Sequence, residues 1–299
     1  MSTALAGSLP EKKANLPAIN WAPVIYFGVL LCVCYGDVLR RLVLHWSVDQ
    51  DMGHGFFVPV VAGYVVWKRR DRLAALTLKP APWLGSAFLL WGALQMLAGS
   101  LGAELFLART AFLISLVGLL LVTGGFPLVR ELAFPLLLLL FMIPIPRIIY
   151  SQITLPLQFF ASEVAEVVLG LIGIPVLRDG NILQLPNETL SVVEACSGIR
   201  SLLSLSFLSL IYAFLFDQKI WMRWALLIST VPIAIAANAL RVTLTGVLGE
   251  YRPEIAHGFF HTLEGGVLFI LGLIFLLVVH RFLNWFYRGY QAARARGGA

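Results

Sequence analysis

Apolar positions in this chain come in long, nearly unbroken runs separated by short polar stretches. A membrane-crossing helix takes about 20 consecutive apolar residues. The runs predict about eight such helices, at 21–39, 55–67, 83–101, 105–123, 132–145, 202–216, 224–248 and 263–280. The second is short and borrows residues before Gly55. One stretch, 146–199, departs from the pattern. Glu163 and Glu166 share a helical face there, which predicts an amphipathic helix over 155–172 lying in the membrane interface. A true span is the competing reading, and it would reverse the sidedness of everything downstream. Past Pro175 the period shortens, with turn signals at Asp179-Gly180-Asn181 and Pro186-Asn187, so 176–193 reads as a small β-meander. It leads into a polar island, Glu194-Ala195-Cys196-Ser197-Gly198-Ile199-Arg200, beside the almost charge-free run that starts at Leu202.

Composition agrees with an apolar solvent. Of 299 residues 59% are hydrophobic and 13% charged, with mean hydropathy +0.86, against roughly 25% charged in soluble domains. The expected fold is an all-α polytopic membrane protein of about eight transmembrane helices, with an outer-face amphipathic helix and a small β-meander. Its expected organisation is a polar N-terminal tail (1–20), one transmembrane domain (21–287) containing the outer-face insertion 146–199, and a basic C-terminal tail (288–299). The first apolar run lacks a small-residue cleavage site and reads as an uncleaved span.

The net charge of +6 marks orientation and is no nucleic-acid signal. Lys12, Lys13, Lys68, Arg69, Arg70, Arg72, Arg130, Lys219, Arg223, Arg281, Arg288, Arg294 and Arg296 fall on one side if the spans alternate. The positive-inside rule makes that side cytoplasmic. Arg40 and Arg41 are exceptions, expected on an amphipathic extension of the first helix. The outer, periplasmic side then receives 49–54, 146–199 and 249–261.

Candidate chemistry gathers in those outer segments. Of three cysteines, Cys32 and Cys34 lie in the first apolar run with neither a disulfide framework nor zinc spacing, and no metal or cofactor is expected. Cys196 stands between Glu194 and Arg200, and Ser197-Gly198 reads as a helix start. The partial positive charge of a helix N-terminus favours a thiolate there; an inert buried thiol is the bland alternative. Arg241, in Asn238-Ala239-Leu240-Arg241-Val242, lies inside an apolar run, where an arginine costs about 2.5–3.5 kcal/mol unless it pairs or snorkels. It serves a site, or it bonds loop carbonyls or Glu250. His257 and His261, four apart, share a helical face. Either can act as acid or base near neutral pH, and ordinary interfacial histidines are the alternative. His54 lies in an outer loop, contacting that loop or a substrate. Glu194, Arg200 and Asn238 face the site or brace it. Glu104 and Arg109 are close enough along one helix to pair, and His280 receives no role.

Glu194 to Ser201, then Asn238 to Val242, then His261 with Gly265 four later, together resemble the three signature regions of the exosortase/archaeosortase family. The stretch Gly53-His54-Gly55-Phe56-Phe57-Val58-Pro59, the basic Lys68-Arg69-Arg70, and Val176 to Asn181 resemble that family as well, so the likeness runs over about 21–287. The resemblance implies a multi-pass bacterial inner-membrane cysteine protease or transpeptidase with its active site on the periplasmic face. It implies substrates carrying a C-terminal Pro-Glu-Pro-type motif, a transmembrane helix and a basic tail. It makes Cys196 the nucleophile, Arg241 the stabiliser and His261 the acid/base, with His257 the rival for that last role. The histidines fit the bacterial branch. Substrate proteins and membrane lipids are the implied partners; the acceptor and the oligomeric state stay open. A transporter or flippase, or a membrane glycan polymerase with Arg241 as substrate site, is the alternative. Those activities make Cys196 dispensable and predict polar residues running through to the inner side, whereas the sequence concentrates polar groups outside.

Overall fold

The computed structural model of the chain describes residues 21–192, 198–217, 219–251 and 259–297, without the side chains at 21, 50, 51, 198–201, 259–269, 292–293 and 295–297. Two compact units result, Met1–Leu42 with Val58–Leu140 and Val43–Phe57 with Phe141–Ala299.

The first unit opens with α1 (Trp21–Cys34) and α2 (Gly36–Val48), whose axes bend by 72° at the break. Tyr35 occupies that break. Its hydroxyl donates to the Gly92 carbonyl at 3.3 Å and lies 2.8 Å from Ser115 Oγ, so a polar group inside an apolar bundle is satisfied. Arg40 and Arg41 do fall on an amphipathic continuation, but it is the separate helix α2, where Asp37 lies 3.5 Å and 2.8 Å from them. After α3 (Phe57–Lys68) and the short α4 (Arg70–Ala74), α5 (Pro82–Leu101) and α6 (Leu105–Thr123) form a close hairpin. Gly85, Gly92 and Gly99 recur every seven residues on the buried face of α5. A Cβ at Gly99 would sit 2.7 Å from the Ala108 backbone nitrogen. Small residues let helix backbones approach where lipid tails compete equally for apolar side chains. Glu104 caps α6 by accepting from Phe106 N at 3.1 Å, and among the described residues no salt bridge within 4.0 Å joins it to buried Arg109.

The expected span at 132–145 is not formed as such. The helix breaks at Leu132, three residues before Pro135, between α7 (Gly125–Glu131) and α8 (Ala133–Leu140), and an eight-residue helix reaches only about 12 Å. Likewise α3 has 12 residues, about 18 Å. Among the described residues five helices are long and apolar enough to cross a membrane, or six if α1 and α2 make one bent span. The count of eight is therefore not reproduced, though the all-α membrane architecture is.

The second unit holds α9 (Arg147–Leu171), a three-stranded sheet, α10 (Gly198–Phe216), α11 (Ile220–Tyr251) and α12 (Phe259–Gly297). Helix α11 packs on α9, α10 and α12. The expected meander is present: β1 (Leu177–Asp179), β2 (Ile182–Gln184) and β3 (Thr189–Ser191) pair antiparallel in sequence order, with Arg178 opposite Leu183 and Leu183 opposite Leu190. Gly180 stands first in the two-residue turn at φ +62°, the place where a hairpin needs a residue free of Cβ strain.

Helix α9 is longer than the interfacial helix predicted over 155–172 and is itself long and apolar enough to span. Its polar stripe serves the sheet. Gln158 Oε1 accepts from Asn181 Nδ2 at 3.2 Å, Ser162 Oγ donates to the Gly180 carbonyl at 3.0 Å, and Glu166 meets Arg178 Nε at 2.6 Å. The neighbouring stripe Ala161, Ala165 and Leu169 is buried in one cluster with Leu183, Leu190, Val192 and Val242. Glu163 is exposed.

Candidate active site

The polar island joins Val192 to helix α10. Helix α10 starts at Gly198, two residues past Cys196, as the Ser197-Gly198 signal predicts. Before the island, Val192 is fully buried and its backbone nitrogen donates to the Asn181 carbonyl at 2.9 Å. Val192 belongs to the same core cluster as Val242 of α11. Val192 is the last described residue before Cys196 in sequence, and Val242 is the residue after Arg241.

The C-terminal end of α11 is tied to the same sheet. Asn187 Nδ2 donates to Glu250 Oε1 at 2.7 Å, and the Glu188 carboxylate lies over Gly249, where a side chain would displace it. On α11, Asn238 and Arg241 are one turn apart and buried, 6% and 8% exposed. Asn238 borders a cavity of about 10 Å³ with Leu157 of α9 and Leu202 of α10. That brings it beside the first turns of α10, six residues after Cys196. Its Nδ2 donor has no hydrogen-bond partner among the described residues.

His54 sits in a 3-10 helix, Gln50–Phe56, packed against α10. Its Nε2 lies 3.2 Å from the Phe141 carbonyl and its Nδ1 3.5 Å from Ser204 Oγ, with the ring tilted against Phe207 at 6.1 Å. A proton on Nε2 makes Nδ1 the acceptor for the serine hydroxyl. Ser204 is six residues into α10, about 9 Å along its axis from Gly198. Both loop contact and contact with the helix that follows Cys196 are therefore observed for His54. Gly55 holds this bracket together: a Cβ there would lie 2.6 Å from Trp46 Cδ1, and Trp46 Nε1 donates to the Met142 carbonyl at 2.9 Å. Gly55→Ala is expected to lower the thermal midpoint of the full-length protein, since overpacking costs about 1–3 kcal/mol. Gly53→Ala, whose added Cβ meets nothing within 4 Å, is expected to melt like the parent in the same scan.

Cys196, Glu194 and His257 lie outside the described residues, and Arg200 and His261 are placed only as backbone, on α10 and α12. A second polar cluster, given no role by sequence reasoning, closes the other end of α10. There Tyr212 OH lies 2.8 Å from His280 Nδ1, and Asp217 Oδ2 lies 3.3 Å from His280 Nε2. Polar groups are thus not confined to the Cys196 end of the bundle. The available signal was His280 and Asn284 four apart, with Asp217 ending the preceding run.

Residues 46–278 match the family of transmembrane exosortases. The chain belongs to the transmembrane exosortases. Comparison with the curated proteins and with the solved structures finds no match. Family membership makes the chain a multi-pass membrane protein of a cysteine-type transpeptidase family that sorts protein substrates. The matched segment contains every candidate site residue, from His54 to His261, and ends just before His280.

Proposed function

We propose that the chain cleaves C-terminal Pro-Glu-Pro-type sorting signals from membrane-anchored exported proteins and passes them to an acceptor, working at the periplasmic face of a bacterial inner membrane. The observation that supports this reading is the buried core cluster shared by Val192, the last described residue before the island, and Val242, which follows Arg241 on α11. The Cys196 thiolate attacks a peptide carbonyl just outside the substrate's anchor. The negative charge that develops on the carbonyl oxygen is stabilised by Arg241. The C–N bond breaks, His261 gives its proton to the leaving amine, and a thioester to Cys196 remains. An acceptor amine or water then attacks the thioester carbonyl, and the thiolate departs. Arg200, Glu194 and Asn238 act around this centre, and the Asn238 donor, which has no partner among the described residues, is available to a backbone carbonyl of substrate or of the island itself.

Co-expression with a Pro-Glu-Pro-tagged membrane-anchored substrate tests the reading. A covalent adduct on Cys196, identified by peptide mapping and released by hydroxylamine, is the expected result. An adduct elsewhere, or cleavage with no thiol involvement, overturns it. The same assay ranks the histidines: His261→Gln is expected to slow adduct formation by about 10²–10⁴-fold, the usual range for a lost general acid. A larger loss in His257→Gln would transfer that role.

A further inference from the structure

A groove of about 640 Å³ runs between α10 and α12 at the end of α10 remote from Cys196. Its α12 wall has two parts on one helix face. Ile274, Leu277 and Val278 make an apolar stretch, and Arg281, Trp285 and Arg288 continue it as a basic one. From Ile274 to Arg288 the wall is about 21 Å long. Trp285, 71% exposed, stands between the two arginines, where an indole suits the boundary between hydrocarbon and headgroups.

The floor is a closed polar knot. Tyr212, His280 and Asp217 are linked as described, and the Asn284 amide lies 2.7 Å from His280 Nε2. Asp217, at the end of α10, is already committed: its Oδ1 accepts from Lys219 N at 2.8 Å, its Oδ2 faces His280, and the residue is 8% exposed. Lys219 is spent over the Tyr287 ring at 4.0 Å, and Arg223 donates to the Asp217 carbonyl. Arg281 and Arg288 make no ion pair among the described residues. Two guanidinium groups with no acidic partner among the described residues therefore line one end of a groove whose other end is hydrocarbon.

We infer that this groove is a binding site for an anionic phospholipid, its phosphate held by Arg281 and Arg288 and an acyl chain lying along Leu277 and Val278. Charge complementarity selects the anion, because planar guanidinium groups match phosphate oxygens in pairs. The apolar wall selects a lipid over a free anion. The site does not depend on Cys196 chemistry, and lipid and substrate assays fail or succeed separately.

The test uses the full-length protein in neutral detergent, with bound lipid read by native mass spectrometry. Phosphatidylglycerol is expected to be retained about tenfold or more over phosphatidylcholine, because two cations attract its net negative charge whereas choline offsets the phosphate of phosphatidylcholine. Arg281→Gln with Arg288→Gln is expected to abolish that preference, and Arg281→Lys with Arg288→Lys to retain part of it. The lysine pair, with its melting curve, guards against misfolding as the cause. Equal retention of both lipids, an unchanged preference in the glutamine pair, or displacement of the lipid by millimolar inorganic phosphate would each overturn the inference.

Discussion

Cys196→Ala is expected to abolish processing of a Pro-Glu-Pro-tagged substrate, by about 10³-fold or more, while leaving the melting curve unchanged. Removing a nucleophile eliminates the step that forms the new bond, and the remaining groups then stabilise charge on a carbonyl that nothing attacks. Cys196→Ser is expected to fail as well, since a hydroxyl is far harder to deprotonate than a thiol and a site that holds a thiolate does not activate it equally. Cys32→Ala and Cys34→Ala, both exposed on α1, serve as controls and are expected to process normally. Substrate cleavage is read by the mobility shift that follows loss of the anchor. Full processing in Cys196→Ala would remove the enzymatic reading and leave transport or polymerisation, for which the thiol is dispensable.

The elements that surround this cysteine were legible in the sequence where local signals were complete. Asp179-Gly180-Asn181 announced the first hairpin because its glycine adopts positive φ, and Pro186-Asn187 announced the second turn. The start of α10 was legible from Ser197-Gly198. Hydropathy alone misjudged one segment and left another open between two readings. At 132–145 the apolar run is continuous, but its prolines and those at Pro144 and Pro146 remove backbone donors, so the chain turns before it can cross. At α9 the polar stripe resembled an interfacial face, yet Gln158, Ser162 and Glu166 face the sheet and satisfy it. A polar position on an apolar helix signals either water or a protein partner, and periodicity does not distinguish them. With α9 long enough to span, alternation of the later helices no longer follows from basic residues alone.

The candidate site was legible by residue type and not by arrangement. Arg241 stood out because a charge in an apolar run demands an explanation, and it is indeed buried on α11. The bracing of α10 by His54 joins positions 150 residues apart, and no local pattern carries such a contact. The Tyr212–His280–Asp217 knot escaped notice for the same reason, since its members become neighbours only when α10 lies on α12. Its presence also weakens one sequence argument against transport, that polar groups gather at a single end. The family match, not polar geography, is what favours sorting chemistry.

Arg241→Gln is expected to reduce turnover by about 10²–10³-fold, the usual loss when one donor to a developing oxyanion is removed. Glutamine keeps most of the length and can still donate hydrogen bonds, but it carries no charge. Arg241 is 8% exposed, and a buried charge also bears on folding, so the variant's melting point must be read beside its rate. Two roles then separate. A structural arginine predicts a lower melting midpoint with unchanged turnover per folded molecule. An electrostatic one predicts reduced turnover in the folded fraction, with substrate capture by Cys196 slowed and substrate binding retained. Arg241→Lys sharpens the contrast, because it preserves the charge and loses the planar fork. Intermediate turnover in the lysine variant would assign the effect to charge. Turnover as low as in the glutamine variant would assign it to the geometry of two donors aimed at one oxygen.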